Sequence, residues 1–179
     1  MLSAPQTAAA PAKAGSRFVL LFFLFASAGF ALMFVPPIEL LIRDLTYAIT
    51  AMCGAIIQLA GGRVGVAGNV MAGPRAGFTM KVMDGCNGVE VVVLLWSAML
   101  AWPAGRVAKI KGMVLGALIV QAANTLRIIS LFYLGQWNQD WFEWMHLYVW
   151  EILIMILGLA VFAVWIRRTP AIAAHGPAR

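Results

Sequence analysis

The chain has 179 residues, of which 63% are hydrophobic and 11% charged, where ordinary soluble domains carry about 25% charge. A water-soluble core of this size cannot hide so much apolar surface, which excludes a soluble globular protein and leaves an integral membrane protein of one domain. The net charge of +6 forms no aromatic-interleaved stripe, so no nucleic-acid partner is implied, and two cysteines without paired spacing exclude a disulfide framework or a zinc site.

In chain order, residues 1–17 are rich in alanine and proline and are expected to be a disordered cytoplasmic tail. The first apolar run, Phe18–Val35, is long enough to cross a bilayer, which takes about 17–25 residues in a helix. Its "ASA" at 26–28 resembles a signal-peptide cleavage site, but the run continues past it, as an uncleaved anchor does. Over 38–60, Leu41, Leu45, Ile49, Met52, Ile56 and Leu59 form an apolar stripe, with Arg43, Asp44 and Thr50 off it. This predicts an amphipathic helix on the outer surface. Val64/Val66 and Phe78/Met80/Val82 then alternate about the Gly73-Pro74 centre, predicting a β-hairpin that caps the outer face. Three further spans follow at Val89–Ala104, Gly112–Leu134 and Leu147–Ile166, with glycines such as Gly54, Gly116 and Gly158 as close-contact residues. Residues 169–179 form a cytoplasmic tail in which His175 is solvated. The expected fold is therefore an all-α polytopic membrane protein of about four transmembrane helices, with an outer-face amphipathic helix and a small β-hairpin, in a single domain over 18–168.

Flanking charge orients the spans. Lys13, Arg17, Arg106, Lys109, Lys111, Arg167, Arg168 and Arg179 fall on one side, while Glu39, Asp44, Asp84, Asp140 and Glu143 fall on the other. The positive-inside rule makes the basic side cytoplasmic. Only Glu90, Arg127 and Glu151 remain within spans.

Three reactive side chains then converge at the outer level. Cys86 sits in the turn "DGCNG" ahead of the second span, His146 opens the fourth, and Arg127 lies roughly 10 Å below the outer end of the third at 1.5 Å per residue. An arginine at that depth faces the bundle interior with a partner, and Asn124, three residues earlier, shares its face. A cysteine attacks as thiolate, which a nearby cation favours. Arginine cannot act as the acid because its own pKa is too high, whereas histidine exchanges protons near neutral pH. Glu90, one turn beyond Cys86, is expected to be protonated or paired with Arg127. Glu151 is a weaker partner, because five α-helical residues turn it away from the face of His146. Each residue also has a bland reading: Cys86 as packing, Arg127 paired with Glu90 for bundle specificity, His146 within an aromatic belt with Trp141, Trp144, Tyr148 and Trp150. Cys53 is read as packing.

"GCNG" at 85–88, "NTLRI" at 124–128 and "HLYVWE" at 146–151, in that order on the outer helix ends, resemble the exosortase/archaeosortase family of membrane cysteine transpeptidases, and the shortness of the chain is most like exosortase H. The resemblance covers about residues 18–168. It implies Cys86, Arg127 and His146 as the essential residues, with Asn87 a tolerated departure after the cysteine. It also implies exported substrates with a C-terminal sorting tail: a recognition motif, of Ile-Pro-Thr-Leu type in the H subgroup, then one transmembrane helix and a basic cluster. The expected site is thus Cys86, Arg127 and His146, supported by Asn124, Glu90 and Asn87, with no cofactor and no metal, in a bacterial inner membrane and facing the periplasm. Two other classes stay open: a thiol–disulfide oxidoreductase using Cys53 and Cys86, and a non-enzymatic scaffold or transport subunit with Glu90, Arg127 and Glu151 lining a polar path.

Overall fold

The computed structural model describes residues 10–75, 77–83 and 85–169, and of 10–14 the backbone alone. The elements are α1 (Ala10–Met33), α2 (Pro36–Leu59), β1 (Gly65–Ala67), β2 (Val70–Ala72), β3 (Thr79–Lys81), α3 (Val89–Ala101), α4 (Arg106–Trp137), α5 (Gln139–Trp144), a π-helical turn (Met145–Val149) and α6 (Trp150–Arg168). The protein is an all-α polytopic membrane fold with a small sheet. Helix α1 already includes residues 10–17, which the sequence suggested were tail. The expected tail residues 1–9 and 170–179, with His175, and Asp84 lie outside the described residues.

Four helical runs are long and apolar enough to cross a membrane: Gly15–Met33, Pro36–Leu59, Arg106–Trp137 and Gln139–Arg168. Helix α3 is shorter than expected, because Gly88 in the left-handed region starts it and extended Trp102, ahead of Pro103, ends it. Its 13 residues rise roughly 20 Å, less than a hydrocarbon core. It is nonetheless the centre of the bundle, packed by α1, α4 and α6. Trp102 at its far end meets Phe18 of α1 and Phe162 of α6 edge-on, at 5.8 and 6.3 Å between ring centroids. Its neighbours thus shield a helix too short to span alone. The aliphatic core here is Val91, Val92, Leu95, Met99, Val120 and Ile154. Gly116 admits Leu95, since a Cβ there would stand 2.7 Å from its Cδ2.

Helix α2 starts and finishes at the same end of the bundle. Glu39 and Leu40 line a cavity with Glu90 and Met83, Thr46 touches Asn87 just ahead of α3, and Gly62, past its end, lies against Tyr133 near the end of α4. Its protein-facing side is Thr46, Ile49, Thr50, Cys53, Gly54 and Ile57. The predicted stripe points the other way: Leu41, Leu45, Met52, Ile56 and Leu59 are all exposed, and only Ile49 turns inward. Gly54 accommodates Val66 of β1 rather than a helix.

The expected hairpin is a three-stranded antiparallel sheet in the order β1-β2-β3. The sequence reading passed over the first turn, Gly68-Asn69, where a positive φ of 59° at Gly68 alone matches a type II′ turn. Val66 therefore pairs with Met71, and Met71 with Met80, instead of the two outer runs pairing with each other. Met71, Met80 and Val82 pack with Ile49, Cys53 and Ile57 on Ile128, Leu131 and Phe132 of α4.

Candidate active site

The turn 85–88 is built from the sequence "GCNG" because two of its residues need positive φ: Gly85 at 88° and Gly88 at 76°. Cys86 N–H donates to Met83 O at 2.9 Å. Asn87, fully buried, fixes the turn from three directions. Its Oδ1 accepts from Val89 N–H at 3.0 Å, its Nδ2 donates to Thr46 Oγ1 at 3.1 Å, and its carbonyl accepts from Gln121 Nε2 at 3.0 Å. The Glu90 carboxylate closes the remaining side by accepting from Gly85 N–H at 2.8 Å. Of the two states expected for Glu90, protonated or paired with Arg127, the pair is not formed.

Facing this turn is the π-helical segment. Asn138 caps α5 by accepting from Trp141 N–H at 3.0 Å, and His146 stacks on Phe142 at 5.7 Å between ring centroids. The His146 Nε2 lies 3.8 Å from Cys86 Sγ, and its Nδ1 lies 3.5 Å from Arg127 Nη2. The same Nη2 donates to Glu151 Oε2 at 3.4 Å. Glu151, judged a weak partner on α-helical geometry, is thus the carboxylate of the site. Five α-helical residues would rotate it about 140° from His146. The Trp150 N–H bonds to Met145 O, a five-residue repeat that returns residue 151 to the face of residue 146.

The structure therefore brings Cys86, His146 and Arg127 together, with Asn124 and Asn87 beside them. Asn124 is fully buried under Gly88, and neither polar atom of its amide has a partner among the described residues, nor does Arg127 Nε. Thr46, Gln121 and Phe142 are residues around the site that sequence reasoning missed, and Glu151 is one that it ranked too low. Gln121 carried a readable signal, since it stands six residues before Arg127 with Asn124 midway, a polar row inside an apolar span.

Burial pushes the Cys86 thiol above its ordinary pKa, and the Arg127 charge pulls it part of the way back. At rest the sulfur is a neutral thiol that needs a proton acceptor. Arginine offers only donors, so a hydrogen bond across the 3.5 Å contact would need a lone pair on His146 Nδ1 and the neutral ring's hydrogen on Nε2, toward sulfur. The other tautomer, with the hydrogen on Nδ1 and Nε2 open to the thiol proton, is the one in which Nη2 would serve Glu151 alone. Both Nη2 contacts are long, which suits a donor shared between two partners. Cys53, by contrast, is fully buried in the core of α2 and the sheet.

Residues 8–165 match the family model described as transmembrane exosortase (Exosortase_EpsH). Comparison with the curated proteins and with the solved structures returned no match.

Proposed function

This chain belongs to the transmembrane exosortase family, and on that premise we propose that it is a membrane cysteine peptidase or transpeptidase that cuts the C-terminal sorting tails of exported proteins. The observation that carries the reading is the contact of Cys86 Sγ with His146 Nε2 at 3.8 Å, in a ring whose other nitrogen faces Arg127 at 3.5 Å. A nucleophile, a proton carrier and a fixed cation in mutual reach are what acyl transfer from a peptide bond requires.

The thiol proton passes to His146 Nε2, and the thiolate attacks the scissile carbonyl. Arg127 holds the oxyanion with the donors that Glu151 leaves free. As the carbon–nitrogen bond breaks, the imidazolium gives its proton to the leaving amine, and the substrate's upstream part remains as a thioester on Cys86. An acceptor bearing a hydroxyl or amine, water included, then gives a proton to Nε2 and attacks the thioester, which regenerates the thiol. By the charge distribution, the end of the bundle bearing the site faces outward from a bacterial inner membrane and the Arg106–Lys111 end faces the cytoplasm. The full burial of Cys53 supports this reading over thiol–disulfide exchange between the two cysteines.

The test is an exported reporter ending in Ile-Pro-Thr-Leu, one transmembrane helix and a basic cluster, co-expressed with the chain. The wild type and Cys53→Ala are expected to release the tail, and Cys86→Ala to leave it intact. Tail release by Cys86→Ala would remove the nucleophile from this reading, and a requirement for both cysteines would replace it with redox chemistry.

A further inference from the structure

Strand β3 leaves one edge open and runs straight into the Cys86 turn. Gly73 N–H bonds to Phe78 O at 3.1 Å and Val82 N–H to Asn69 O at 2.8 Å. With the register Met71↔Met80, these bonds make 69/82, 71/80 and 73/78 the hydrogen-bonded pairs. The N–H and C=O groups of Thr79 and Lys81 therefore point away from β2, and no further strand pairs with β3 among the described residues. Side chains alternate in the same register: Met80 and Val82 are buried, while Thr79, Lys81 and Met83 are exposed. An unprotected edge of this kind is a template for pairing with an added chain.

The exposed side of this strand faces a cavity of about 580 Å³. Lys81 and Met83 form one wall, Phe34 and Ile42 lie on the apolar side, and Arg43 and Glu90 stand among its charged groups. Its two carboxylates, Glu39 and Glu90, balance Arg43 and Lys81, so the cavity suits a neutral, apolar-rich segment rather than a charged one. Cys86 follows Lys81 by five residues, which is at most roughly 17 Å of extended chain, and the bond from Cys86 N–H to Met83 O shortens it further. A strand of four to six residues thus reaches from the open edge to the thiol.

We propose that the substrate's recognition segment binds as an added β-strand on the free edge of β3, with side chains in this cavity, and that this pairing carries the scissile bond onto Cys86. The proposal rests on the peptidase reading above and specifies how that site holds its substrate. Main-chain hydrogen bonds supply affinity, and alternate side chains supply selectivity.

Binding and chemistry can be measured separately with the same tail reporter in membranes containing the full chain. In the Cys53→Ala, Cys86→Ala chain carrying Lys81→Cys, single cysteines are placed at successive reporter positions around the motif. Disulfide formation is expected to alternate, strong and weak, with a period of two. Uniform or absent cross-linking overturns the proposal. In the active chain, Lys81→Pro removes the outward N–H without touching the ladder to β2. It is expected to slow tail release about tenfold or more, with alkylation of Cys86 by iodoacetamide unchanged. Val66→Pro removes an outward N–H on the opposite edge and is expected to cleave as the wild type does. Equal loss in both proline variants, or none in Lys81→Pro, overturns the edge assignment. Alternating cross-links with no tail release by the wild type would uphold the strand and sink the peptidase reading; tail release without cross-links would do the reverse.

Discussion

The two halves of the site face each other at 3.8 Å between Cys86 Sγ and His146 Nε2, and they are held in opposite ways. The cysteine half is pinned by α2, α3 and α4 through Asn87, whose bonds run from 3.0 to 3.1 Å, and by Glu90 beneath Gly85. The histidine half sits in a π-helical turn in which no residue is fully buried, and its polar contacts stretch from 3.4 to 3.8 Å. A nucleophile gains from being fixed, because its attack geometry is narrow. In the proposed reaction a proton carrier serves a thiol, a leaving amine and an acceptor in turn, and an arginine donor shared with Glu151 would let its tautomer follow. Under the proposed function, the two local folds divide the site between a stapled nucleophile and an adjustable base.

The strongest way to break that division is to change the phase of the π turn. Inserting one alanine between Leu147 and Tyr148 sets His146 and Glu151 six residues apart instead of five, and no helical phase then returns both to Arg127. Tail release is expected to fall by about 10²–10⁴-fold, the usual contribution of general acid–base catalysis. Deleting Leu147 instead makes them neighbours four residues apart on an ordinary α-helix, and activity is expected to stay within about tenfold. If the insertion and the deletion are equally damaging, the shared face of His146 and Glu151 is not what the turn secures.

A smaller effect, readable without any substrate, separates the two halves electrostatically. Burial holds the thiol pKa up while Arg127 lowers it, so removing the cation in Arg127→Gln must raise it further. The sign is fixed: less thiolate at any given pH. In a Cys53→Ala background, the iodoacetamide rate at Cys86 should climb with pH in both chains, and the profile of Arg127→Gln should be displaced to higher pH. A displacement to lower pH, or none, would show that Arg127 does not act on the sulfur.

What the sequence made legible divides along the same line. The cysteine half was readable because "GCNG" needs glycines at positive φ on both sides of the thiol, and Arg127 and His146 stood out as ionisable groups in apolar runs. Glu151 was misjudged because α-helical arithmetic assumes an α-helix, and a π turn leaves no mark in composition or periodicity. Thr50 was read with Arg43 and Asp44 as the polar side of α2, yet Thr50 and Thr46 meet the protein and the leucine stripe turns away. In a membrane protein, apolar periodicity finds the lipid as readily as the core. The sheet was mispaired for a simpler reason: Gly73-Pro74 drew the turn, although Gly68-Asn69 was the sharper hairpin signal.

The smallest expected effect concerns the two carboxylates. Sequence position favoured Glu90 as the partner of Arg127, but its Oε1 accepts from Gly85 N–H at 2.8 Å and so serves the stapled half. A glutamine keeps an acceptor oxygen of the same reach, so Glu90→Gln should release the tail within about threefold of wild type, while Glu90→Ala loses one hydrogen bond and falls by up to about tenfold. Glu151→Gln should behave differently, because the glutamine cannot hold a guanidinium by charge. Its Arg127 then bonds Nδ1 of His146 more persistently, Nε2 retains its hydrogen, and proton uptake from the thiol is hindered. Tail release by Glu151→Gln should therefore fall below that of Glu90→Gln at every pH, with Cys86 still reached by iodoacetamide in both. If Glu90→Gln is the more damaging of the two, the carboxylate that matters to the arginine is the one the sequence first suggested, and the contact between Arg127 and Glu151 at 3.4 Å does not govern the tautomer of His146.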